Sequence, residues 1–195
     1  MSKSNDFMPG EPTASTSGDY LRLKDLETYK DNTVRLRILH PFISGFEGWT
    51  TQNKPIRAEG EADFPKGTEW KVEKGEAQRP RRFWATAVWN SNKERVQVFS
   101  FTQATIYRQL KSLLDNEDWG LLTEYDVTVR RTGSGTETEY TVLPCPKKGL
   151  SPAASKTWEM VSSAWIGLAA LYSGGHPLAT FDTAVAAKDL DIPFD

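Results

Sequence analysis

Arg79-Pro80-Arg81-Arg82-Phe83-Trp84-Ala85-Thr86-Ala87-Val88-Trp89 is the stretch on which the fold turns, together with Val96-Gln97-Val98-Phe99-Ser100-Phe101 beyond it. Both runs are dense in β-branched and aromatic residues, and the polar Asn90, Ser91, Asn92, Lys93 and Glu94 between them supply a hairpin loop. A period of two puts Phe83, Ala85, Ala87 and Trp89 on one face and Arg82, Trp84, Thr86 and Val88 on the other. The second strand divides the same way, with Val96, Val98 and Ser100 against Gln97, Phe99 and Phe101. One face must be core, and aromatics from the two strands could form one exposed platform. Alternation alone does not say which face is which.

Outward from this hairpin, Thr33 to Leu39 alternates with Val34, Leu36 and Ile38 inward, and Phe42 to Thr51 reads as a strand bent at Gly45 and Gly48. Gln52 to Pro80 has little periodicity and reads as a long surface excursion carrying Trp70 on a short helix or turn. After Thr102-Gln103 the period changes, and Ile106, Leu110, Leu113 and Leu114 share one helical face up to about Asn116. Tyr125 to Thr132 and Glu139 to Leu143 pair across a glycine turn. Five main strands and one helix are the content of an OB-fold, a partly open five-stranded barrel with the helix capping one end. A further helix is expected from Lys156 to about Tyr172, stopped by Gly174-Gly175 and packed on the barrel.

The domain reading is a disordered arm over 1–19, an OB core over 20–150, a helical extension over 151–180 and a flexible acidic tail over 181–195. The arm lacks an apolar h-region and gives no sign of export. The apolar stretch around Ala164 to Tyr172 is too short for a membrane span. The expected place is therefore inside the cell.

The net charge of −2 is unevenly spread. Residues 20–150 carry 21 Lys and Arg against 18 Asp and Glu, a balance of +3, while the two ends together carry −5. A mildly basic core with acidic ends suits a nucleic-acid binder, although the difference alone decides nothing. The single Cys145, between two prolines, and the distant His40 and His176 show no disulfide or zinc-ligand spacing, so no metal or other cofactor is expected. Glu59, Glu61 and Asp63 could meet a divalent cation, but the surrounding lysines favour a solvated loop. Without a phosphate loop, a nucleophile elbow or a metalloprotease motif, the chain does not read as an enzyme.

A sequence-tolerant single-strand binder needs cations that follow phosphates and aromatic faces on which bases stack. The candidate stackers are Trp49, Phe83, Trp84, Trp89, Phe99 and Phe101, some of which must be core. The candidate phosphate contacts are Lys54, Arg57, Arg79, Arg81, Arg82, Arg95, Arg130 and Arg131.

Over Phe83 to Leu150 the chain resembles the phage and prophage single-stranded-DNA-binding proteins. The resemblance is carried in order by Phe83-Trp84-Ala85 and Val88, Thr102-Gln103, Asp118-Trp119-Gly120, Glu124-Tyr125-Asp126-Val127, Arg131-Thr132-Gly133-Ser134-Gly135, Thr138-Glu139-Tyr140-Thr141-Val142 and Pro144. A looser match runs through Tyr20-Leu21, Lys24, Leu36-Arg37-Ile38-Leu39, Gly45 to Thr50 and Lys54-Pro55-Ile56-Arg57. It implies an OB-fold that coats single-stranded DNA during phage DNA replication and recombination, in the cytoplasm of the infected bacterial host. The more distant single-strand protein of T-even phages binds zinc, but this chain lacks the cysteines and histidines for it.

Asp189, Asp191, Ile192, Pro193 and Phe194 resemble the acidic tip by which bacterial single-strand binding proteins dock on replication and repair enzymes, which implies replication and recombination proteins as partners here. The acids here are sparser and Asp195 follows the phenylalanine. Self-association on DNA is compatible with such ends. Two other readings remain at this point: an RNA-binding OB module, and a protein-interaction β-barrel that binds no nucleic acid.

Overall fold

The computed structural model describes residues 18–178. Its strands are β1 (Tyr20–Leu21), β2 (Thr33–Ile38), β3 (Ile43–Trp49), β4 (Pro55–Ala58), β5 (Val72–Glu73), β6 (Glu76–Ala77), β7 (Arg81–Asn90) and β8 (Arg95–Phe101). Helix α1 (Ala104–Leu114) follows, then β9 (Asp126–Thr132), β10 (Glu139–Pro144) and α2 (Pro152–Ala164). The fold is mainly β. One mixed sheet of eight strands runs in the order β1-β8-β7-β2-β9-β10, with β3 and β4 continuing beside the first half of β7, and β5–β6 form a separate small hairpin.

β2 and β3 act as one long, bent strand along β7. Ile38 pairs with Val88 and Ile43 with Ala85, so two extra residues bulge from this strand between the pairs. Pro41 lies in the bulge and has no amide to donate, which breaks the ladder there. The buried Thr86 hydroxyl donates to the His40 carbonyl at 2.5 Å and pins the bulge from beneath. The bend sends the first half of this strand to β9 and the second half to β4.

Between the outer strands the sheet stays open. β8 carries only the two-residue parallel β1 on its free edge, and β10 has no strand partner beyond β9 among the described residues. Helix α1 sits in this gap. The Gln109 amide group donates to the Tyr140 carbonyl at 2.9 Å and accepts from the Val142 amide at 2.8 Å. One side chain thereby satisfies two backbone groups that a neighbouring strand would otherwise pair.

The core has two layers, and this overturns the expected exposed platform. On one face of the β7–β8 hairpin, Val88, Phe99 and Phe101 join Val34, Leu36, Ile106, Tyr125 and Val129 in the main cluster. On the other face, Phe83, Ala85, Trp89, Val96 and Val98 pack against Ala154, Val161, Leu168 and Leu171 of the C-terminal extension. Phe83, Trp89, Phe99 and Phe101 are each at most 7% exposed and are core residues, because both faces of the hairpin are covered. The polar members of these strands are satisfied inside: Asn90 donates to Gln97 at 2.7 Å and to the Tyr29 hydroxyl at 2.9 Å.

The extension itself differs from the single helix expected over Lys156 to Tyr172. Ser151 caps α2 by accepting from the Ala154 amide, with Pro152 in the first turn. The helix ends at Ala164, and Gly167, at φ 90°, turns the chain into a 3₁₀ segment over Leu168–Ser173. Gly174 then closes that segment in the left-handed region. Leu114, expected on the apolar face of α1, is exposed, whereas Ile106 and Leu110 are buried.

The 52–80 excursion is also more ordered than its sequence suggested. It contains β4, a 3₁₀ turn over Glu61–Asp63 and the β5–β6 hairpin. Trp70 stands in an isolated bridge opposite Thr50, with its ring edge-on to Phe64 at 5.0 Å. The same indole lies across Gly48, where an added Cβ would come within 2.3 Å of it. Asp63 accepts from the Gly60 amide at 2.9 Å, so one acid of the Glu59, Glu61 and Asp63 alternation serves as a turn cap.

A buried charge network ties the sheet to the loop after β10. Arg37, 2% exposed, donates from Nε to Oδ1 of Asp126 at 2.7 Å, and its other nitrogens donate to the carbonyls of Thr123 and Lys148. Arg35 takes the second oxygen of Asp126 at 2.6 Å. Arg37 thus finds acceptors for all three of its nitrogens without solvent.

Candidate functional site

Two adjoining grooves open where β3 ends. The larger, of about 890 Å³, runs between Arg22, Lys24, Trp49, Lys54, Thr102 and His176, among others. The smaller, of about 340 Å³, is bounded by Trp49, Lys71, Arg79, Arg81 and Thr102. Glu47, Trp49 and Thr102 line both, so Trp49 stands at the junction with 40% of its surface exposed. Gly48 beside it lets the Trp70 ring lie close against the strand.

The charge at these grooves is strongly one-sided. Their walls carry Arg22, Lys24, Lys54, Arg57, Lys71, Arg79 and Arg81 against Glu47 and Glu73, seven cations to two carboxylates, or +5. Arg57 is held by Glu47 at 2.6 Å and also lies over the Phe83 ring. The other six cations form no ion pair among the described residues. The chain as a whole carries −2, so the fold concentrates positive charge here. Burial pushes the Tyr20 phenol above its ordinary range, so this wall of the larger groove stays neutral.

The structure separates the residues singled out in the sequence. Trp49, Lys54, Arg57, Arg79 and Arg81 meet at the grooves. Phe101 lines the larger one by its edge but is 4% exposed. Arg82 and the half-buried Trp84 lie on the opposite face of β7; Arg82 is exposed and sits over the Phe46 ring at 5.7 Å. Arg95 pairs with Asn90 at the far end of β7, within 3.5 Å of Asp19. Arg130 and Arg131 are farther still, since Arg130 pairs with Thr33 at the opposite end of the long bent strand from Trp49, and Arg131 is engaged by Glu27. Neither Arg95 nor the Arg130–Arg131 pair belongs to the grooves. The tip residues Asp189, Asp191, Ile192, Pro193 and Phe194 lie outside the described residues.

Arg22, Lys24 and Lys71 were not legible as site residues. A signal for the first two exists in Leu21-Arg22-Leu23-Lys24, where Leu21 and Leu23 are buried and the alternating cations stay in solvent. Lys71 owes its place to a backbone bond, its amide donating to the Trp49 carbonyl at 2.7 Å. Nothing local in the sequence marks that contact.

A groove of this kind offers fixed cations to a polyanion and one accessible indole face to a planar ring. No protein-family model, curated protein or solved structure matches this chain.

Proposed function

We propose that this protein binds single-stranded DNA with little sequence preference, coating it during phage DNA replication and recombination. The observation that carries the reading is Trp49, exposed at the junction of two grooves whose rims hold six cations without an ion pair among the described residues. Phosphates would follow the cations while bases stack in turn on the indole, a mode that tolerates any sequence because every base has a π-face. Groove walls set by β3, β4 and the turn Gly174-Gly175-His176 after the 3₁₀ segment hold these groups.

The strand connectivity supports reading the core as an OB-fold. The bent β2–β3 strand, β7, β8, β9 and β10 supply five strands in chain order, with α1 inserted between the third and fourth and filling the unpaired seam. The acidic segment from Lys188 to Asp195 is proposed to recruit replication and recombination proteins.

Tryptophan fluorescence of the purified protein, titrated with oligo-dT, oligo-dA, the matching RNA and duplex DNA at two salt concentrations, tests this reading. Quenching by single-stranded DNA that weakens with salt, with little response to duplex, is the expected result. Preference for RNA would move the assignment to an RNA-binding module, and no response to any nucleic acid would leave a protein-binding barrel.

A further inference from the structure

Helix α1 carries an exposed aromatic that neither the grooves nor the core accounts for. Tyr107 is 37% exposed, and its ring lies flat against Trp84, with centroids 4.5 Å apart and planes 14° apart. Trp84 in turn stacks on the buried Phe101 at 5.8 Å and 27°. The three rings form a graded pile from core to solvent, with Tyr107 outermost and locked by what lies beneath it.

One cation stands near this pile: Arg82 lies two residues before Trp84 on the same face of β7. The Arg82 guanidinium lies over Phe46, which orders it at the edge of the aromatic surface. The pile stands on the face of β7 opposite the grooves and adjoins them through Phe101 and Thr102. Phe101, its innermost ring, pairs directly with Trp84 and lines the larger groove, and Thr102 next to it lines both. Arg81, in the smaller groove, is three residues from Trp84, about 10 Å along the strand at the usual rise of about 3.3 Å per residue.

We infer that Tyr107 is a second base-stacking position, reached by a single strand that leaves the Trp49 groove past Thr102 and rounds the start of β7, with Arg82 meeting its phosphates. This rests on the single-strand reading above. A ring already stacked on one side gives a base a flat, rigid partner without the entropy cost of ordering a free side chain. The expected occupant is a nucleobase and not an apolar peptide, because the exposed surface is a single aromatic ring backed by a second and not an apolar groove.

The test compares wild type with Tyr107→Leu, Tyr107→Phe and Trp49→Leu in binding oligo-dT of about 4 and about 16 nucleotides, the range of site sizes for such folds. Tyr107→Leu should weaken binding of the longer oligomer by roughly 5- to 100-fold, the range for losing one stacked base, and leave the shorter one nearly unchanged. Tyr107→Phe should restore wild-type affinity, and circular dichroism should show α1 intact in both variants. Equal affinity of Tyr107→Leu and wild type for the longer oligomer, with Trp49→Leu weakened, overturns the second position and leaves the groove standing. Failure of wild type to bind either oligomer removes both.

Discussion

The proposed binding of single-stranded DNA carries a salt dependence that follows numerically from the groove. Arg22, Lys24, Lys54, Lys71, Arg79 and Arg81 are unpaired among the described residues and line one continuous surface. If each neutralises one phosphate of a single strand, six contacts at about 0.7 each give a slope of log affinity against log salt near about −4. A rise from 50 to 200 mM salt would then weaken binding roughly 300-fold. Replacing Arg79 and Arg81 by alanine removes two contacts, so the slope should fall to about −3 and the same change of salt should cost only roughly 50-fold. Both are exposed and at or next to the start of β7, so the double variant should retain the wild-type melting temperature. Anisotropy of a labelled oligo-dT at four or more salt concentrations reads the slope directly. A wild-type slope shallower than about −1, or an unchanged slope in the double variant, would refute the assignment of these cations to phosphates.

Three further outcomes follow from the fold and the site's edge. Asp126→Ala leaves the buried Arg37 guanidinium without its counter-charge and should cost about 3–5 kcal/mol. It should appear as a fall of roughly 2 M in the urea midpoint, and a fall under about 0.5 M would contradict the network's role. Gly48→Val places a side chain where the Trp70 ring lies and should destabilise by about 1–3 kcal/mol while exposing residues 50–80 to proteolysis, and unchanged cleavage would count against Trp70 as the anchor of that segment. His176 accepts from the Leu178 amide at Nδ1 and, chiefly through burial, is held below its ordinary pKa of 6.5, with Asp19 at 3.6 Å opposing the shift. The unfolded chain therefore takes up the proton first, so this residue's contribution to stability is present above about pH 6.5 and is lost as pH falls through the lower folded value. Thermal melts at pH 7.5 and 5.5 should differ less for His176→Gln than for wild type, and an equal difference would remove His176 as the cause.

Most of the strands are legible in the sequence. Thr33–Ile38, Arg81–Asn90, Arg95–Phe101 and Asp126–Thr132 coincide closely with the runs read from alternation and turn residues, because a strand's period and its bounding turns are local properties. Segments whose order depends on distant contacts are not. β4 forms because Phe46 to Trp49 offers it an edge, and Trp70 is held by Gly48 and Phe64, contacts that no periodicity within 52–80 reports. The break in the extension turned on Gly167, read as an interior helix residue until its φ of 90° placed it at a corner.

By itself the sequence determined the hairpins, the amphipathic α1, the supply of aromatics and cations, and the sites where bends were possible. Only the tertiary structure decided which aromatics face solvent. The alternating faces of β7 are both apolar enough to bury, and the second is covered by residues such as Leu168 and Leu171, far along the chain. Burial on both sides erases the polar face by which a strand ordinarily shows its outside. For the same reason the cations could not be sorted in advance. Arg22, Lys54, Lys71 and Arg81 come from four separate segments and share a surface only because the bent β2–β3 strand carries Trp49 into their midst, while Arg130 and Arg131 are left at its other end. Charge acts through space and not along the chain, so its grouping is a property of the fold.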